Sequence, residues 1–149
     1  MDKQQEMEAY VVKTMEENNV VQEETVNGMM KSYGGTCSYE EKRITLQFSL
    51  QPWQANRAGG LHGGVICMAF DMTIAAVARF FAGKNFAPTV SLDVKFIRPV
   101  EISDDLIVTA KATATGKRLS QLTAEAYSKK TGKLVATAAS VYLNIDTSK

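Results

Sequence analysis

The sequence predicts an α+β domain in which an antiparallel sheet wraps over one long buried helix. Three observations carry this reading. The run from His62 to Ala82 is apolar on nearly all sides, about five further segments alternate with the period of a strand, and glycine sits where antiparallel hairpins turn. At 149 residues the chain has the size of one ordinary domain, able to bury roughly two thirds of the surface its unfolded form exposes. We therefore read residues 1–149 as a single domain, with an N-terminal helical segment over 1–28 and the α+β core over 29–146.

In chain order, Met7, Tyr10, Val11 and Met15 recur at helical spacing over residues 5–17, and Glu17-Asn18-Asn19 ends the pattern. A glycine-containing stretch from about Met29 to Tyr39 is a candidate first strand, followed by a turn at Tyr39-Glu40-Glu41-Lys42. Residues 43–50 alternate cleanly, with Ile44, Leu46, Phe48 and Leu50 on one face and Arg43, Thr45, Gln47 and Ser49 on the other. Pro52 breaks that strand, and a loop leads into the long helix, expected over about 62–82. Its eighteen residues from Val65 to Ala82 would span about 27 Å, which raises a membrane span as an alternative. Asp71, Thr73 and Arg79 argue against it, since an unpaired carboxylate in mid-bilayer costs several kcal/mol; a buried core helix is the reading. After Gly83 the chain reads as strands: 89–97, with Val90, Leu92, Val94 and Phe96 on the buried face, then 105–114, 119–128 and 134–145. Gly116 and Gly132 mark the hairpin turns between the last three.

Hydrophobic residues make up 45% and charged residues 22%, with a net charge of +1. No block of like charge appears, so nothing electrostatic points to nucleic acid or to a membrane surface. The expected partner is a small molecule or a second copy of the chain. The acidic, amphipathic N-terminus lacks the basic-then-apolar layout of a secretory signal, which gives a cytoplasmic expectation. Cys37 and Cys67, with a single histidine, make neither a CxxC pair nor a structural zinc site. Both read as reduced thiols, Cys67 as a buried packing residue, and no metal or redox cofactor is expected.

The chemistry concentrates between residues 56 and 71. A glycine-rich turn entering a helix first raises phosphate binding, but Gly59-Gly60-Leu61-His62-Gly63-Gly64 has neither the Lys-Ser/Thr pair of a P-loop nor the GxGxxG spacing of a dinucleotide site. What remains is a helix N-terminus whose first amides, at Gly63 and Gly64, carry no shielding side chains and form a ready oxyanion site. Asp71 lies seven residues past Gly64, two turns on, and so on nearly the same face. A carboxylate in such a helix is either a buried acid tied to a backbone or arginine partner, or a general base held in a dry cleft. The residue types leave both open.

The ordered set Asn56, His62-Gly63-Gly64, Asp71, Thr89 and the strand end Phe96-Ile97-Arg98-Pro99-Val100 resembles the hotdog-fold acyl-CoA thioesterases of the phenylacetate-degradation (PaaI-like) type. The likeness runs from about Phe48 to Asn144. It implies a hotdog fold, no cofactor, an acyl-CoA substrate and a homo-oligomer, a dimer or a dimer of dimers. It implies that Asp71 is the catalytic carboxylate, as base or nucleophile, and that the Gly63 amide polarises the thioester carbonyl. Asn56 would orient the carbonyl or the attacking water, against an ordinary Asx turn. His62 would position the loop, and Thr89 would lie near the water.

Independently of the resemblance, eight helical steps put Gly63 and Asp71 about 12 Å apart along the axis, too far for one carbonyl to touch both readily. The site is therefore expected to combine Gly63 of one subunit with Asp71 of another. Trp53 is a candidate wall of the acyl pocket, or a loop tryptophan packed on its own domain. Gly64 is a candidate substrate contact. Arg98, Lys95 and Lys117 are candidates for the coenzyme A phosphates, and Asp93 reads as a surface acid. Two rivals stand beside hydrolysis. An enoyl-thioester hydratase or dehydratase would pair its acid with a catalytic histidine at another spacing. A non-catalytic acyl-thioester binding module would not need Asp71.

Overall fold

The structure, a computed structural model, describes residues 1–148. Helix α1 (Lys3–Glu16) begins at Asp2, whose carboxylate accepts the Gln5 amide while the Gln5 side chain accepts the Asp2 amide. This reciprocal cap satisfies two donors at the helix start. Met7 and Val11, one turn apart, are buried. The helical pattern does not end at Glu17-Asn18-Asn19 as expected. It widens into a π turn over Glu17–Val21, and a short helix α2 (Val26–Met29) follows. Asn19 explains part of this, because its Nδ2 donates to the Ser32 carbonyl at 2.7 Å and ties the widened turn to the sheet.

Because 26–29 is helical, the first strand is shorter than the sequence implies: β1 runs Ser32–Ser38. Gly35 on this strand is where α1 packs. A Cβ there would lie 2.5 Å from Val11 Cγ1 and 2.9 Å from Met15 Cε, so a larger residue would push the helix away. The strands β2 (Arg43–Ser49), β3 (Thr89–Phe96), β4 (Asp105–Thr115), β5 (Leu119–Ser128) and β6 (Leu134–Leu143) complete one antiparallel sheet in the order β1-β2-β4-β5-β6-β3. In β2 the expected alternation is observed, with Ile44, Leu46 and Phe48 buried.

Helix α3 (Gly63–Ala82) packs against β2 through β6 and is covered at one end by α1. Val65, Ile66, Phe70, Ile74 and Val77 point into the sheet and are buried, each such side chain contributing about 1.5–3 kcal/mol. Thr73 is buried too, its hydroxyl satisfied by the Ala69 carbonyl at 2.9 Å. This is the helix long and apolar enough to pass for a membrane span, and most of it lies against the sheet.

Two adjoining surfaces near the helix mouth and the sheet edge are partly exposed. Gly64, Cys67, Met68, Asp71, Met72 and Arg79 form a partly exposed stripe along α3. Cys67 is thus half-buried, against the expectation of full burial. The other surface is β3, an edge strand whose outer side pairs with no strand among the described residues. Val90 and Phe96, expected to face the core, are 56% and 57% exposed, and the adjoining Ile97 is 47% exposed. The period-two pattern is present, but among the described residues the side chains at the ends of this strand are only partly covered. The two surfaces adjoin: Thr89 bonds Asp71, and the Phe96 ring lies 3.3 Å from where a Cβ on Gly63 would be.

Candidate active site

The helix mouth is organised by His62. It is the N-cap of α3, and its Nδ1 accepts the Gly64 N–H at 2.9 Å. In this bond the ring nitrogen is the acceptor and the backbone amide the donor. The Gly64 amide is therefore engaged within the chain, which corrects the expectation that both glycine amides are free. Among the described residues the Gly63 amide donates to nothing, and it lines a cavity of about 360 Å³ together with Asn56, Leu61, Ile66, Phe96 and Arg98.

Asn56 holds the loop before the helix. Its Oδ1 accepts the Ala58 and Gly60 amides at 2.9 and 3.1 Å, while Nδ2 reaches the Leu61 carbonyl at 3.4 Å. The Asx-turn reading thus describes the oxygen; one Nδ2 hydrogen remains for the cavity that Asn56 lines. Beyond it a larger groove of about 700 Å³ continues past Gly59, Arg98 and Pro99 to Lys130 and Lys133. Arg98 spends one N–H on the Leu134 carbonyl at 2.8 Å. Lys95 instead pairs with Asp93 at 3.7 Å, outside the groove, and Lys117 lies in the β4–β5 turn, equally apart from it. Trp53 sits on a short turn over Pro52–Gln54, half exposed, and lines neither cavity.

Asp71 is partly buried, and its carboxylate is held by one oxygen. Oδ1 accepts the Thr89 hydroxyl at 3.0 Å and the Tyr142 hydroxyl at 2.7 Å, while Oδ2 has no partner among the described residues. Neither an arginine nor a backbone amide neutralises it. Thr89, expected near the water, is brought onto the carboxylate itself. Tyr142 was not legible as a site residue: it occupies an inward position of the β6 alternation and reads as core. Its ring is buried. Burial, with a further push from the Asp71 carboxylate and an opposing bond from Thr89, raises the phenol far above its ordinary range, so it remains a donor.

Tyr142→Phe is expected to remove a donor from Oδ1 while keeping the ring. The anchoring of the carboxylate should weaken, and kcat/KM should fall about three- to tenfold, the size of one hydrogen bond. A kcat/KM equal to the wild-type value would show that Tyr142 is only packing.

The sequence matches the family described as "Thioesterase superfamily" over residues 58–135, more than half the chain. The chain belongs to the thioesterase superfamily. As a member it is a thioester hydrolase. Among its relatives, acyl-coenzyme A thioesterase 13 of Mus musculus is 28% identical over 97 residues, which is 64% of this chain and 68% of that protein. The fold agrees with solved structures. Zebra fish thioesterase superfamily member 2 superposes with a TM-score of 0.72 at 19% identity, covering 95% of this chain and 94% of that one. The E. coli PaaI protein from the phenylacetic acid degradation operon gives 0.72 at 18% identity, covering 91% and 96%. The six-stranded sheet wrapped on α3 is the hotdog fold.

Proposed function

We propose that this thioesterase hydrolyses acyl-CoA thioesters at a site shared between two copies of the chain. Asp71 of one copy activates water, or attacks the carbonyl itself, and the Gly63 amide of the other holds the developing oxyanion. The single observation that carries the reading is the division of labour along α3: an unpartnered amide at Gly63 and a carboxylate with one free oxygen at Asp71, about 12 Å apart. In either mechanism the carboxylate oxygen anchored by Tyr142 and Thr89 stays in place while Oδ2 faces the reacting atoms. Asn56, through its remaining Nδ2 hydrogen, orients the carbonyl or the water, and His62 fixes the helix entry.

The partly exposed surfaces support the shared site. If Gly63 meets the partner's Asp71 and Asp71 meets the partner's Gly63, the two α3 helices are antiparallel about an axis midway between 63 and 71, at Cys67. On β3, Phe96 accompanies Gly63 and Thr89 accompanies Asp71. The same axis then crosses the strand midway between 89 and 96, beside Leu92 and Asp93, and joins the two unpaired edges into one continuous sheet. Such pairing would remove an exposed apolar edge that otherwise invites aggregation. The groove from Asn56 to Lys130 and Lys133 would carry the coenzyme A moiety, its two lysines and Arg98 serving the phosphates.

The test is release of free thiol from a panel of acyl-CoAs. Hydrolysis of at least one supports the reading, and absence of thiol release across short, long and aromatic acyl groups overturns it in favour of a binding module. The shared site has its own check. A short bifunctional thiol reagent should link the chain into dimers through Cys67. The product should vanish in Cys67→Ser and persist in Cys37→Ser.

A further inference from the structure

Asp71 opens on its far side into a third cavity, of about 60 Å³, whose lining does not include Gly63. Its wall is unusual for an acyl pocket. From α3 come Met72, Ala75 and Arg79; from the N-terminal segment come Thr14, Asn18 and Asn27. The π turn puts Asn18 there. Its Oδ1 accepts from Asn27 Nδ2 at 3.5 Å, and its own Nδ2 has no partner among the described residues. Arg79 makes no ion pair and no side-chain hydrogen bond among the described residues. A guanidinium carries five donors and an Asn amide two. The cavity therefore holds a surplus of donors, one set charged, beside a carboxylate whose anchored oxygen is already saturated.

We propose that this cavity receives the far end of the acyl group and that this end is a carboxylate, so that the preferred substrates are ω-carboxyacyl thioesters. The proposal rests on the shared-site reading, in which coenzyme A approaches from the Gly63 side and the acyl chain continues past Asp71. Asp71 and Arg79 are eight residues apart, about 12 Å along the axis, and the longer Arg79 side chain leans back toward Asp71, so a short diacid chain joins the reacting carbonyl to the guanidinium. The six-carbon adipoyl group is the probe of such a chain. A plain alkyl end of the same length would strip water from Arg79 and Asn18 and return nothing to them.

The experiment compares adipoyl-CoA with hexanoyl-CoA, which have the same number of acyl carbons. Wild-type kcat/KM should favour adipoyl-CoA by about ten- to hundredfold, the range of a hydrogen bond to a charged group. In Arg79→Met that ratio should fall at least about tenfold, and Arg79→Lys should recover part of it because the charge returns without the fork. Wild-type enzyme that prefers hexanoyl-CoA, or a ratio unmoved by Arg79→Met, overturns the proposal. Turnover of hexanoyl-CoA without preference for adipoyl-CoA would leave the shared hydrolytic site standing and remove only this inference. Should no acyl-CoA be turned over, calorimetric titration of the Asp71→Asn protein with both compounds still decides: tighter binding of adipoyl-CoA supports the carboxylate pocket, and equal affinity overturns it.

Discussion

Asp71→Asn is expected to abolish most of the hydrolysis while leaving the fold in place. The amide has the shape of the carboxylate, and its carbonyl oxygen accepts the same hydroxyls from Thr89 and Tyr142 that Oδ1 accepts now. What disappears is the negative charge at Oδ2, the one oxygen with no structural partner. A positioned base contributes about 10²- to 10⁴-fold, and kcat should fall by that order with little change in KM. Stability should hold or rise slightly, because a partly buried charge without a cationic partner has gone. Steady-state thiol release and thermal unfolding of the same preparation measure both sides. A folded Asp71→Asn protein turning over at near wild-type rate would remove Asp71 from the mechanism.

The parts of this molecule written in period and punctuation were legible in its sequence. The alternation of β2, the apolar run of α3 and the glycines at the hairpin turns each state one local rule, and the sheet obeys all of them. Asp71 and Gly63 stood out in the sequence because a carboxylate in an apolar helix and a glycine pair at a helix mouth break the pattern around them, whereas Asn56 was singled out only by the resemblance. The rest depended on three-dimensional neighbours. Tyr142 obeys its strand's alternation, so nothing local separates its hydroxyl from a packing ring. Gly64 looked like a second free donor because the capping use of His62 Nδ1 is a matter of rotamer. Val90 and Phe96 were expected to be buried, and within one chain they are not. Periodicity marks which face is apolar and does not say whose atoms cover it. Asn18 read as a helix stop, whereas the π turn carries it round to the cavity beside Arg79.

Two inactive variants should restore one another if Gly63 and Asp71 serve a carbonyl from opposite copies. Gly63→Pro removes the amide proposed to hold the oxyanion, and the position accepts it: Gly63 is the first helical residue, where proline is favoured, and His62 before it is extended at φ −66° and ψ 134°. The added Cβ would meet the Phe96 ring at 3.3 Å, a contact that a shift of a few tenths of an ångström in that side chain relieves. The variant should therefore fold, which circular dichroism and gel filtration check first. Each mutant homodimer then carries two broken sites. A mixed dimer of Gly63→Pro and Asp71→Asn chains carries one site with both lesions and one with neither. After statistical exchange half the dimers are mixed, and each has one good site of two, so about a quarter of wild-type activity should return. Purification through a different tag on each chain should raise this to about half. Verified mixed dimers as inactive as their parents would put both groups in the same copy, and the helical spacing that separates them would have to be bridged by the substrate.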